Sequence, residues 1–329
     1  MDDVTIDGME VEGVLGKGAM AMILRARLAD GTPVAVKLLL PKHMGNPEVA
    51  ERFICEGQAL SELSSRYLPR VLGFGTTDSD QPYFVMELLD GVDLEALLSA
   101  QGPPPPAVAV RYVAEACEAV AFAHEAGIVH RDVKPGNLFV SRSQDGTEAI
   151  KLLDFGIAKL DNRFEQRRDT TIGLVMGTSY YMSPEQIRSS TSVTFAADIW
   201  SLGVVLFELL TGQVPFNDSS MAGTLHAIIN LPPPGIESIM GDLPEALGAV
   251  LSRCLAKDPS RRFGSARELA AVLRDLAPQL EGVSPIFVPP LRPDGYAVPI
   301  ETSELPRAND EGASTEAPLR SVARSGKPA

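Results

Sequence analysis

The hydrophobic period of this chain changes once, near residue 90, and that single change limits the folds open to it. Before it, "MEVEGVLG", "AMILRARLAD", "TPVAVKLLL", "LPRVLGFGT" and "PYFVMELL" alternate or are rich in β-branched residues. They are separated by the turn stretches "GKGA", "DGTP" and "TDSDQ", the pattern of short antiparallel strands. One helical segment interrupts them at 47–64, where Val49, Phe53, Leu60 and Leu63 recur near helical spacing among Glu48, Glu51 and Glu56. After "LLDGVDL" the period becomes helical, at 93–99, 107–126, 196–210, 221–229, 243–254 and 265–276. A strand-rich N-lobe (9–88), a hinge near 87–91 and a larger helical C-lobe (92–281) form an α+β arrangement. At 329 residues the chain is long enough for two lobes with a shared cleft.

The ends read differently. Residues 1–8 are a short, acidic N-terminal extension without the apolar stretch of a signal peptide. Residues 282–329 carry eight prolines and four glycines without periodicity. Such a composition buries too little apolar surface to offset its ordering entropy, so a disordered tail is expected, with only "IFVPPL" suited to docking on the domain. The tail's charges nearly cancel, so almost all of the chain's net charge of −14 belongs to the folded part. That acidity argues against nucleic-acid binding, which relies on cationic side chains releasing counterions, and against attraction to anionic membranes. The apolar run 199–210 is twelve residues long and contains Glu208, a core helix too short for a bilayer. Cys55, Cys117 and Cys254 are too scattered for a metal knuckle or a disulfide framework. Buried free thiols in a reducing, cytoplasmic compartment are expected.

The stretch "LGKGAMAMI" offers Gly16 and Gly18 of a G-x-G-x-x-G loop but has Ala21 in the third place. Alone it fits a phosphate cradle no better than a hairpin turn that needs positive φ. The stretches "HRDVKPGNLFV" (130–140) and "KLLDFGIAK" (151–159) are far more specific. Together they resemble the catalytic region of eukaryotic-type protein kinases, and "GTSYYMSPEQ" is similar to bacterial members of that family. The resemblance covers residues 9–280 and implies a two-lobed kinase fold with one regulatory helix in its N-lobe.

Phosphoryl transfer passes through a loose, anionic transition state, so positioning and charge neutralisation carry it. By resemblance, Asp132 orients the attacking hydroxyl and accepts its proton, and Lys134 reaches the γ-phosphate of ATP, in the serine/threonine pattern. Asn137 and Asp154 hold Mg2+, with Mn2+ as an alternative ion, through oxygen donors suited to a hard cation. Phe155 and Gly156 pack and pivot that aspartate. Lys37, at the end of "VAVK", bridges the α- and β-phosphates and pairs with Glu56, nineteen positions on, with Glu51 as the competitor. Gly57 costs about 1 kcal/mol in a helix interior and reads as a point where the helix could swing. Gly16 precedes Lys37 by twenty-one positions, which makes Leu15, Gly16 and Gly18 a loop over the nucleotide with a stiffer tip at Ala21. No G-x-x-x-x-G-K-[ST] occurs, so a P-loop is excluded.

The same resemblance makes Met86 the gatekeeper and brings the Glu87 carbonyl and Leu89 backbone to the adenine edge. Val14, Ile23, Ala35 and Phe139 sandwich the ring, although all four read equally as core. Asp93 meets the ribose or caps a helix. Downstream, Thr178 bonds Asp132 and Lys134, Glu185 pairs with Arg262, and Asp198 holds the catalytic-loop backbone. Ser183 replaces the usual alanine of A-P-E. Thr170 and Thr171 are the phosphorylation candidates, with Arg131 as the phosphate's partner and Arg163, Arg167 and Arg168 as solvated loop charge. The segment "SRSQDGTEA" reads as a lengthened hairpin before Asp154. The implied activity is transfer of the ATP γ-phosphate to Ser/Thr hydroxyls of protein substrates, with a transient homodimer for trans-autophosphorylation. A pseudokinase scaffold is the alternative. It would have lost Lys37, Asp132, Asn137 or Asp154, and all four are present. A small-molecule phosphotransferase would lack Glu185 and its arginine.

Overall fold

The computed structural model describes residues 6, 8–63, 65–143, 145–154, 179–189, 193–236, 239 and 243–285. Phe155, Gly156, Arg163, Arg167, Arg168, Thr170, Thr171, Thr178 and the tail beyond 285 lie outside the described residues.

The N-terminal part is a five-stranded antiparallel sheet. Its strands are β1 (Met9–Lys17), β2 (Ala21–Leu28), β3 (Pro33–Leu39), β4 (Val71–Thr76) and β5 (Pro82–Glu87), in the order β1-β2-β3-β5-β4. Strand β3 is central and, after Pro33, buried throughout. Its alternate residues therefore serve two faces. Val34, Val36 and Leu38 pack with Leu24, Ala26, Tyr83 and Val85 on one side, while Leu39 joins Phe53, Leu60 and Phe84 on the other. Helix α1 (Pro47–Glu62) supplies Phe53 and Leu60. It starts where expected, because the Asn46 side chain accepts from the Glu48 and Val49 amides and Pro47 occupies the first turn.

Two expectations about α1 need correction. Cys55 is exposed, unlike the buried thiols of Cys117 and Cys254, because it lies off the face carrying Phe53, Glu56 and Leu60. Gly57 is buried, and a β-carbon there would come within 2.6 Å of the Phe74 ring and 2.9 Å of Phe84. Close ring packing, rather than freedom to swing, accounts for this glycine.

Residues 91–93, read as hinge and helix start, form a short strand. Strands β6 (Gly91–Asp93), β7 (Leu138–Arg142) and β8 (Glu148–Leu152) make a second antiparallel sheet. The lengthened hairpin is thus the β7–β8 connection, paired from Leu138↔Leu152 to Arg142↔Glu148. At the crossing, Gly91 has φ 140°, and a side chain there would run into the Val140 carbonyl.

Among the described residues the remaining α-helices are α2 (Leu94–Gln101), α3 (Pro106–Glu125), α4 (Pro184–Arg188), α5 (Ala196–Thr211), α6 (Met221–Asn230), α7 (Glu245–Cys254) and α8 (Ala266–Leu276). Helix α5 buries Trp200, Leu202, Val204, Val205, Leu206 and Phe207 almost completely and ends at Gly212 in the left-handed region. Helix α3 presents Ala109, Ala116, Ala119 and Ala123 to the core, small residues that let its neighbours approach. The last turn, Ala277–Leu280, buries Leu280, and Val283 packs against the same core. No described helix is long and apolar enough to cross a membrane.

Candidate active site

Strand pairing puts Gly16, Ile23, Lys37 and Phe84 in one cross-strand row. Lys37 sits in that row, 6% exposed, and α1 brings Glu56, 3% exposed, against it. The Lys37 Nζ lies 2.7 Å from Glu56 Oε1 and 2.7 Å from Asp154 Oδ1. Glu51, the competing partner, is exposed. Phe84 closes one side, its ring centre 5.7 Å from Nζ. Burial pulls against the Lys37 ammonium, but the carboxylates of Asp154 and Glu56 outweigh it and raise the pKa. Burial likewise pushes the Glu56 carboxyl up, with Lys37 opposing. Asp154 feels an upward pull from its surroundings, yet the Lys37 charge and hydrogen bond hold it below the usual carboxylate range. Oδ1 is committed to Lys37, while the side chain as a whole stays 56% exposed.

The loop 130–137 is held from beneath by Asp198, in the first turn of α5. This fully buried carboxylate accepts from the His130 amide, the Arg131 amide and His124 Nε2, each at 2.8 Å. Those bonds hold Arg131 at φ 65°, a conformation that costs a non-glycine residue about 1–3 kcal/mol. Asp154 carries similar strain at φ 48°. Burial lowers the pKa of His130 although Asp198 and Asp132 oppose it. A neutral ring with its proton on Nε2 satisfies both neighbours, donating to the Leu153 carbonyl (3.1 Å) and accepting from the Asp132 amide at Nδ1 (3.3 Å).

Asn137 donates from Nδ2 to the Asp132 carbonyl (2.8 Å) and to Asp132 Oδ2 (3.2 Å), and its own carbonyl accepts from Leu153 (2.8 Å). That orientation leaves its side-chain oxygen as the remaining donor atom for a cation. Lys134 Nζ lies 3.4 Å from Asp132 Oδ2, and its charge also helps to depress Asp154. The carboxylates at 132 and 154 therefore share neighbours in one cleft. Oxygen donors from Asn137 and Asp154 fit a hard divalent cation.

The glycine loop also fits a phosphate group. Neither Gly16 nor Gly18 has positive φ, so a turn requirement does not explain them. A β-carbon at Gly16 would meet nothing within 4 Å. Open space therefore lies beside Gly16 at the end of the row leading to Lys37, while a β-carbon at Gly18 would come within 3.4 Å of the Ala21 carbonyl. A bulge between Val14 and Gly16 shifts the register there, and Val14 and Leu15 remain exposed. Ala35 is buried opposite Met86, and Phe139 pairs with Asp93. Asp93 Oδ1 caps α2 through the Ala96 amide at 2.8 Å. Glu87 turns its carboxylate to Lys151 Nζ (2.6 Å) and the Arg70 amide (3.1 Å), and Leu89 is half-buried.

On the acceptor side, Arg262 binds both oxygens of Glu185, at 2.7 and 2.9 Å. Ser183 is not a neutral replacement for alanine: with Gln186 it forms a reciprocal capping box that starts α4. Gln186 Nε2 then donates to the Arg131 carbonyl at 3.1 Å, tying α4 to the loop 130–137. Gln186, Lys151 and His124 escaped the sequence reading. Only Gln186 had a local signal, the S-x-x-Q spacing.

The family profile described as "Protein kinase domain" matches residues 9–272. Serine/threonine-protein kinase Pkn1 of Myxococcus xanthus is 36% identical over 91% of this chain and 42% of its own length. Serine/threonine-protein kinase PknB of Mycobacterium tuberculosis is 36% identical over 81% of this chain, again 42% of its own length. The chain thus spans less than half the length of these relatives. The crystal structure of the Mycobacterium tuberculosis PknI kinase domain superposes with a TM-score of 0.63 at 27% identity, covering 83% of this chain and 98% of that one. The chain belongs to the protein kinase family and has its two-lobed α+β fold.

Proposed function

We propose that this chain is an active serine/threonine protein kinase. The observation that carries the reading is the joined set Lys37–Glu56–Asp154, with both bonds at 2.7 Å, beside a loop in which Asn137 and Lys134 both engage Asp132. Bound ATP with its divalent ion supplies the phosphoryl group and most of the charge compensation. The chain's own residues position it. Lys37 holds α- and β-phosphate oxygens, kept cationic by two carboxylates. Asp154 and Asn137 hold Mg2+, or Mn2+ in its place. Asp132, oriented by Asn137, receives the proton of the incoming Ser/Thr hydroxyl, and Lys134 stands at the transferring group. Leu15, Gly16, Gly18, Ile23, Ala35, Met86, Phe139 and the backbone of Glu87 and Leu89 enclose the nucleotide. The Asp93 oxygen not used in capping α2 serves the ribose. Thr170 and Thr171 are the autophosphorylation sites, acting through Arg131 in a transient homodimer. A cytoplasmic setting supplies ATP and suits free thiols.

The test is transfer of label from γ-labelled ATP to a generic protein acceptor with Mg2+ and, separately, with Mn2+. Lys37→Met and Asp132→Asn are each expected to lower transfer by about 10²–10⁴-fold. Equal labelling by wild type and both variants would sink the reading. A Thr170→Ala/Thr171→Ala double variant with full activity would remove the loop-phosphorylation part alone. Autophosphorylation that rises only linearly with enzyme concentration would remove the dimer.

A further inference from the structure

The tip of the glycine loop is tied from outside itself. His43 Nε2 lies 3.0 Å from the Ala19 carbonyl, and since a carbonyl only accepts, the ring must donate from that nitrogen. The next carbonyl, Met20, accepts from the Leu40 amide at 2.9 Å. Two successive loop carbonyls are thus bound by one segment, Leu40 to His43. That segment is a single turn, Pro41–His43, with proline in its first position. The His43 carbonyl accepts in turn from the Asn46 amide at 3.0 Å, and Asn46 is the residue that caps α1. Hydrogen bonds therefore run without a break from the loop tip to the start of the helix that carries Glu56. Ala21, where a third glycine would complete the motif, is buried and pairs with Leu39, which anchors the loop's return strand beside the same segment.

We propose that His43 is a positioning residue for the nucleotide: its Nε2–H holds the Ala19 carbonyl, and with it the glycine-loop tip, in place before the phosphates arrive. The proposal rests on the reading of this cleft as an ATP site. A tip left free over the three residues between β1 and β2 must lose backbone entropy when a ligand orders it. A tip already held loses less, and the difference appears as affinity. The tether is expected to act on phosphate-bearing ligands, since the residues assigned to adenine lie within paired strands that do not depend on His43 for their position.

Affinity for the non-hydrolysable analogue AMP-PNP with Mg2+, and separately for adenosine, should be measured by calorimetry on the full chain. The variants are His43→Ala, His43→Asn and His43→Gln. Loss of one net hydrogen bond predicts AMP-PNP binding roughly three- to tenfold weaker in His43→Ala and His43→Asn, with adenosine binding unchanged. The glutamine amide nitrogen matches the reach of Nε2, so His43→Gln should return to within about twofold of wild type, whereas asparagine is too short. Melting temperatures without nucleotide are expected to differ by less than about 3 °C. Unchanged or tighter AMP-PNP binding in His43→Ala overturns the tether, as does equal loss of adenosine binding or failure of the glutamine rescue. Absence of AMP-PNP binding in the wild-type chain itself would remove the ATP reading and the tether with it.

Discussion

Gly57 sets two effects of opposite sign against each other at one residue. Helix propensity alone favours Gly57→Ala by about 1 kcal/mol. The added methyl, however, would press on Phe74 at 2.6 Å and Phe84 at 2.9 Å, and overpacking of this kind costs about 1–3 kcal/mol. Net destabilisation is expected in urea unfolding, with loss of phosphotransfer as α1 moves from Lys37. Phe74 is the more exposed ring, so adding Phe74→Leu should recover part of the loss. A plainly stabilised Gly57→Ala would show that the helix term wins. His130 gives a pH signature. Burial holds its native pKa below the ordinary histidine value of 6.5. The stability tied to its neutral form is complete above pH 6.5 and is lost as pH falls toward the native pKa, because the unfolded chain takes up the proton first. Between pH 7 and 5 the unfolding free energy of His130→Gln should decline less steeply than that of wild type. Parallel profiles would assign the acid lability to other groups.

Between elements, the buried ion pair does what local propensity cannot. Arg262 binds Glu185 of α4, the Ala196 carbonyl at the start of α5 and the Ala256 carbonyl after α7, and lies over the Trp200 ring at 5.1 Å. Removing one member strands a buried charge, at a cost of about 3–5 kcal/mol. Arg262→Met should therefore lower stability by that order in chemical denaturation, far more than Arg274→Ala, whose arginine is largely exposed. Equal losses would mean that Arg262 is not the pivot of these three elements. The pairing was legible because both residues stand in recognisable motifs. Strand β6 was not legible: three residues carry no period, and they are a strand only because β7 lies beside them.

At the scale of the whole molecule, β8 ties the strand-rich part to the helical part. Lys151 reaches the Leu68 carbonyl (3.0 Å) and Glu87 (2.6 Å), and the Leu152 amide donates to the Tyr67 carbonyl (2.8 Å). Two residues further on lies Asp154. The contacts that set how the lobes meet thus lie on the strand that leads directly to the group proposed to hold the metal. Lys151→Met is expected to raise amide hydrogen exchange several-fold at 67–71 and 86–91 while α5 stays protected, since local opening reports the contacts removed. Unchanged exchange at both segments would show that backbone bonds alone hold the lobes.

The sequence by itself determined the change of period near residue 90 and the helices that begin after Asn46, Asp93 and Ser265. Each of these is encoded within a few neighbouring residues. The resemblance of the segment after Glu56 to the family's helix also favoured Glu56 over Glu51 as the partner of Lys37, and that pair is formed. Only the tertiary structure decided that Lys37 meets Asp154 across 117 positions, that Gly57 has no room for a methyl, and that Gln186, Lys151, His124 and His43 take part at all. Those contacts join segments far apart in the chain. Distance between such segments is a property of how sheets and helices pack, and no local pattern of residues records it.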